Sequence, residues 1–240
     1  YEGSTTAAVA PLASFSGVQA YTSLLSDVIE ASGVGTFDLA MTAQILEGQG
    51  YSKNADGLWV DPSGAVFQFV VTAEANNPAG PVLVQQLREA GFDVTTDAQQ
   101  GAAFTDAARA GNFDTHLWVH CGSTYDPWLT LEHYHSKYTA PEGQPTNNLR
   151  AYTRYANPEM DALIDAMEVM VPSPDDAKYV YLVSQALAIY LRDLPDITLA
   201  EERQVVPFNT TYWTGWPTAA DAYSHGFPPW DGFVQIIHRL

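Results

Sequence analysis

Apolar residues return every three or four positions between Val18 and Ser32, where Val18, Tyr21, Leu25, Val28 and Ile29 share one side. That period predicts an amphipathic helix. A second, shorter helix is predicted from about Phe37 to Glu47, stopped by Gly48 and Gly50. The pattern then tightens. Asp61-Pro62-Ser63-Gly64 is a turn tetrapeptide between two predicted strands, the second continuing through the apolar run Val66 to Val71.

From there the elements alternate. Pro81 to Ala90 reads as helix, with Val82, Leu83, Gln86 and Leu87 along one side and Gly91 at its stop. Phe92 to Thr96 reads as strand, Ala102 to Ala110 as helix and Phe113 to His120 as strand. Strands and helices in turn, with short connections, predict an α/β layer: a mixed sheet flanked by helices, at least partly parallel.

Residues 122–156 break this rhythm. They are rich in Pro, Gly, Asn, Thr and Tyr, and long irregular segments in compact domains tend to carry function. Two helices follow. Asn157-Pro158-Glu159 offers a cap, an N1 proline and an acidic first turn ahead of Met160, Leu163, Ile164 and Met167. Ser173-Pro174-Asp175-Asp176 repeats the device ahead of Tyr179, Leu182, Val183, Ala186, Leu187 and Tyr190, and Pro195 ends that helix. Ile197 to Phe208 reads as strand, and the residues beyond it show no helical period.

Composition bounds what such a fold does. The chain has 240 residues and is 46% hydrophobic, enough to build a core in one large domain or two small ones. Ten Lys and Arg against 28 Asp and Glu leave a net charge of −18. A nucleic-acid binder needs a basic surface to neutralise phosphates, and no basic run is present, so that class is excluded. The same balance disfavours anionic membrane surfaces. No stretch approaches the ~20 apolar residues of a membrane helix. No signal-peptide pattern opens the sequence, so any export signal is expected upstream or already removed. Cys121 is the one cysteine, which rules out an intrachain disulfide and any CxxC motif.

Alternation in the strand from Phe113 puts Phe113, Thr115, Leu117 and Val119 on a face that reads as core. Asp114, His116, Trp118 and His120 share the other face, which suits the wall of a wet cleft. Cys121-Gly122-Ser123-Thr124-Tyr125-Asp126-Pro127-Trp128 follows at once. Sugar rings lay apolar faces on indole or phenol rings and offer hydroxyls to planar polar groups. Trp118, Tyr125 and Trp128 are therefore candidate stacking groups, with His120, Asp126, Asn147 and Asn148 as polar partners. Each aromatic has an alternative role, filling core between helix and sheet.

Other chemistries find less support. His116, His120, His133 and His135 include an HxH pair, but no matching carboxylate or cysteine set accompanies it, so no metal site is expected. Glu201-Glu202 and Asp175-Asp176 are adjacent and point apart, and the second pair suits a helix N-terminus. Ser63 and Ser123 lack a strand–elbow–helix setting, and no GxxxxGK[ST] is present. No catalytic residue and no cofactor are expected.

Seven segments occur in a familiar order: DGLWVDPSG, VLVQQLREAGFDV, GNFDTHLWV, YDPW, YANPEMDALIDAM, YLRDLPDITLA and NTTYWTGWP. The series resembles the family 5 extracellular solute-binding proteins of ABC importers, over nearly the whole chain. The resemblance implies one lobe of a type II two-lobed periplasmic-binding-protein-like fold, the C-terminal half of a longer protein. Residues 1–205 would form the ligand-binding lobe and 206–240 a tail returning to the first lobe. It further implies a monomeric, non-enzymatic capture protein, periplasmic or at the cell surface, that hands its ligand to an ABC permease. Peptide binders of the family often hold the peptide ammonium with an aspartate, and the matching position falls close to the neutral Ser123. A buried ammonium without its counter-ion binds poorly. This favours a cello- or manno-oligosaccharide over an oligopeptide, as does the likeness of Thr211 to Pro217 to the sugar-binding branch. A secreted carbohydrate-active enzyme is the alternative from another class.

Overall fold

In chain order the elements begin with β1 (Thr5–Ala7), α1 (Ser26–Ser32), α2 (Leu39–Gly48), β2 (Ser52–Lys53), β3 (Trp59–Val60) and β4 (Gln68–Glu74). Next come α3 (Ala79–Glu89), β5 (Asp93–Gln99), α4 (Gly101–Ala110), β6 (Thr115–Leu117) and α5 (Trp128–Leu131). The last are α6 (Pro158–Glu168), α7 (Ala177–Asp193), β7 (Ala200–Glu202) and α8 (Gly232–Ile237). The structure is a computed structural model that describes residues 5–7, 20–21, 23–118, 126–146, 152–202, 207–218, 220–221, 223 and 232–239. Two units emerge: Tyr1–Gly35, Cys121–His133 and Asn157–Leu240 form one, and Thr36–His120 with Tyr134–Ala156 the other.

The second unit is built on a parallel sheet in the order β5-β4-β6, with Phe69 opposite Val94 and Ala73 opposite Leu117. Parallel neighbours need a crossover, and α3 and α4 supply the two. Val71 and Val94 pack with Val84 of α3, and Phe69, Leu83, Leu87, Phe92 and Leu117 close around them. Phe104 and Ala108 of α4 are buried too, and α4 packs against β4. A sheet covered on both faces accounts for the near-continuous apolar reading of Val66 to Val71. The ladder itself begins later, at Gln68, and Val66 only bridges Val60.

The turn at Asp61 is present as expected. Its carboxylate accepts from the Ser63 and Ala65 amides at 2.8 and 3.0 Å and from Ser63 Oγ at 2.6 Å. Bonds to the charged form, that of Ser63 Oγ first, hold this carboxyl below its ordinary pKa. Trp59, 2% exposed, donates from Nε1 to Ala90 O, while Gly91 O accepts its amide. Gly91 itself stands at φ +100, and a Cβ there would lie 2.8 Å from Gly57 O. Only glycine fits this close approach.

In the first unit α6 and α7 pack together through Met160, Ile164 and Met167 and through Leu182, Val183, Ala186, Leu187 and Tyr190. Asn157 caps α6 as expected, accepting from Glu159 N and Met160 N. The cap of α7 is a correction: Asp176, not Ser173, accepts from Lys178 N and Tyr179 N. Ser173 shapes the preceding turn by accepting from Asp175 N. Leu194, at φ +43, closes α7 just before Pro195. Three further expectations change. Among the described residues only Ala200–Glu202 of the predicted 197–208 strand pairs, antiparallel with β1. The C-terminal stretch contains α8, and the irregular 122–156 segment holds α5 and two 3-10 turns, Glu132–Tyr134 and Ser136–Tyr138.

Candidate functional site

Open parallel sheets place their ligands outside the carboxyl ends of the strands. At that end of β6 the chain leads straight from Leu117 into Trp118. The Trp118 indole stacks on Tyr152, with ring centroids 5.2 Å apart and planes 14° from parallel. Phe104 of α4 meets the indole at a tilt, 5.1 Å away, and His116 at 5.3 Å. Trp118 and Tyr152 are each half-buried, so part of the pair meets solvent. Offset and tilted arrangements of this kind are the favoured ones for aromatic rings.

The face read as a wet wall is therefore covered at His116. Its ring lies on Phe104 at 4.2 Å, and Nε2 donates to the Phe104 carbonyl at 3.2 Å. Burial pushes this imidazole below its ordinary pKa, against the raising effect of that carbonyl. The opposite face is also mixed. Leu117 joins the core as expected, whereas Thr115 is exposed and its hydroxyl donates to Val70 O at 2.8 Å.

Tyr152 is the residue that sequence pattern did not single out. Two residues on, the Arg154 guanidinium donates to Tyr152 O at 3.3 Å, Arg109 O at 2.9 Å and Gln144 O at 3.0 Å. The run Tyr152-Thr153-Arg154-Tyr155 was the available signal: an arginine among aromatics in an otherwise irregular stretch.

Asp126 and Trp128 belong to the other unit. Asp126 starts α5 by accepting from Trp128 N at 2.9 Å and Leu129 N at 3.4 Å, with the Tyr179 hydroxyl at 3.5 Å. Burial raises its pKa, opposed by those three bonds. Tyr179 and Tyr21 are themselves raised, by burial first and then by the Asp126 charge. Trp128 Nε1 donates to Ile164 O of α6 at 3.2 Å. Both residues thus have work within their own unit. His120, Tyr125, Asn147 and Asn148 lie outside the described residues.

Among the described residues, no group of three or more His, Cys, Asp or Glu side chains is arranged to hold a metal ion. His135 is buried, and its Nδ1 accepts from Lys137 N at 3.0 Å. No described helix is long and apolar enough to cross a membrane.

No protein-family model matches the sequence, and no curated protein matches it. Solved structures do. The chain is similar to a periplasmic oligopeptide-binding protein of an ABC transporter from Thermotoga maritima with mannohexaose bound. That match has 24% identity and a TM-score of 0.76, covering 92% of this chain and 41% of that one. A second structure of the Thermotoga protein matches at the same identity and TM-score over 98% of this chain and 44% of that one. An oligopeptide-binding protein from Bacillus subtilis in complex with a nonapeptide matches at 19% identity and a TM-score of 0.53, over 77% and 39%. The chain thus spans less than half the length of each of these proteins. Its α/β fold, with helices flanking the sheet, is that of part of a type II periplasmic-binding-protein-like structure.

Proposed function

We propose that the chain is the ligand-binding part of an extracytoplasmic solute-binding protein of an ABC importer, not an enzyme, and that its ligand is a cello- or manno-oligosaccharide. The Trp118–Tyr152 stack carries this reading: a partly exposed aromatic pair at the carboxyl end of a parallel sheet suits the apolar face of a sugar ring. The fold shared with the mannohexaose-bound Thermotoga protein supports it. So does a net charge of −18, which keeps a carrier soluble and off anionic surfaces. The permease is the implied partner, and the protein works as a monomer. The further contacts proposed for His120, Tyr125, Asp126, Trp128, Asn147 and Asn148 rest on the sequence pattern.

A second reading, capture of an oligopeptide, is favoured by the nonapeptide-bound Bacillus neighbour. Intrinsic tryptophan fluorescence of the full-length protein separates the two. A saturable change with cello- or manno-oligosaccharides and none with tri- to pentapeptides is the expected result. The reverse pattern overturns the sugar assignment, and hydrolysis of the oligosaccharide overturns the non-enzymatic one.

A further inference from the structure

In the irregular stretch before α6, within the sheet unit, one side chain gathers three backbone carbonyls. Arg154 sits at φ +53, a left-handed conformation that costs a non-glycine residue. Its Nε is buried without a hydrogen-bond partner. A residue that carries both costs invites a search for what they secure.

The guanidinium lies where the chain leaves α4. Arg109 O, among the last carbonyls of that helix, accepts from Nη2, a placement the helix dipole favours for a cation. Gln144 O accepts from the same nitrogen, and Nη1 reaches Tyr152 O. Gly111, at φ +73, makes room. A Cβ there would fall 2.4 Å from Arg154 Cζ and 2.6 Å from Nε, so an alanine and the guanidinium cannot both stay in place. Two backbone bonds run alongside, Gly143 N to Ala110 O at 2.8 Å and Thr146 N to Arg109 O at 3.0 Å.

We infer that Arg154 is a positioning residue for the ligand platform: by bonding Tyr152 O, Arg109 O and Gln144 O over Gly111, it fixes the tyrosine ring against Trp118. Tyr152 is in turn the wall that sets the indole plane, with Phe104 of α4 as the second support. Arg154 bonds the end of α4 through Arg109 O and Phe104 belongs to the same helix, so both supports of the ring pair bear on α4. A lysine keeps the charge but not the three-carbonyl fork, because it presents a single nitrogen in place of a planar set of donors. The inference rests on Trp118 as the ligand-stacking residue, and its test reads the ring pair both with and without ligand.

The full-length protein is labelled with 5-fluorotryptophan, and the Trp118 fluorine signal is assigned by its disappearance in Trp118→Phe. Arg154→Lys, Gly111→Ala and Tyr152→Leu are compared, the first two disturbing the same fork by independent routes. All three are expected to shift the Trp118 signal while the other tryptophan signals stay in place. They are also expected to weaken mannohexaose binding by about tenfold, the scale of a lost aromatic pair. A Trp118 signal that moves in Tyr152→Leu but in neither Arg154→Lys nor Gly111→Ala overturns the positioning role. If the signal moves as expected yet mannohexaose and a cello-oligosaccharide bind no variant differently, Trp118→Ala included, the positioning role stands and the binding reading fails.

Discussion

Trp118 and Tyr152 lie 5.2 Å apart, centroid to centroid, with planes 14° from parallel, although one directly follows a strand and the other belongs to an irregular segment. Both rings stay half-exposed at the carboxyl end of the sheet, and under the proposed function an exposed ring face is what a pyranose face would meet. Tyr152→Ala is expected to weaken oligosaccharide binding by roughly three- to tenfold, since such a pair is worth about 0.5–1.5 kcal/mol beyond its burial. Calorimetric titration measures this. An unchanged dissociation constant would mean that the phenol ring contributes nothing to the platform.

The opposite end of the same sheet depends on Gly91. Its φ of +100 and the 2.8 Å approach of Gly57 O to a Cβ position leave alanine no place. Gly91→Ala is expected to cost about 2 kcal/mol or more. Urea unfolding should show a lower midpoint at an unchanged slope.

The two helix caps of the first unit make a matched test. Asp176→Ala is expected to cost about 1 kcal/mol, as is Asn157→Ala. Ser173→Ala should cost only a few tenths, because Ser173 caps a turn and not the helix. Equal losses at Ser173 and Asp176 would contradict the observed cap.

These positions also show how far the sequence was legible. The periodic stretches of α3, α4 and α6 were readable because a single apolar face decides each of them. The cap of α7 was misread at Ser173, since Ser173 and Asp176 each offer an oxygen near the helix start and only the backbone chooses between them. Helix α8 was missed because Gly232-Phe233-Val234-Gln235-Ile236-Ile237 is too short to display a period. The covered face of β6 was misjudged at His116 for another reason. Alternation reports which side chains share a face, not whether a helix such as α4 lies over it. Tyr152 joined the candidate site through a contact distant in sequence, and a single sequence holds no record of that.

His116 gives the fold a dependence on pH. Its folded pKa is lowered by burial against Phe104, while the unfolded value is about 6.5. The unfolded chain then takes up a proton that the folded one refuses. The stability this group contributes is present above the unfolded value and is lost as pH falls through the folded one. Chemical denaturation at pH 7.5, 6 and 5 should show a loss on acidification that is smaller in His116→Gln. Parallel losses in both proteins would assign the dependence to other groups.

The central claim is that Trp118 holds a sugar in a solute-binding protein, and calorimetric titration of full-length wild type and Trp118→Ala with mannohexaose tests it most directly. Micromolar or tighter binding by the wild type, lost in a variant that still unfolds cooperatively at a similar temperature, is the result this account predicts. Equal affinity in the two proteins, or binding of oligopeptides alone, would contradict it.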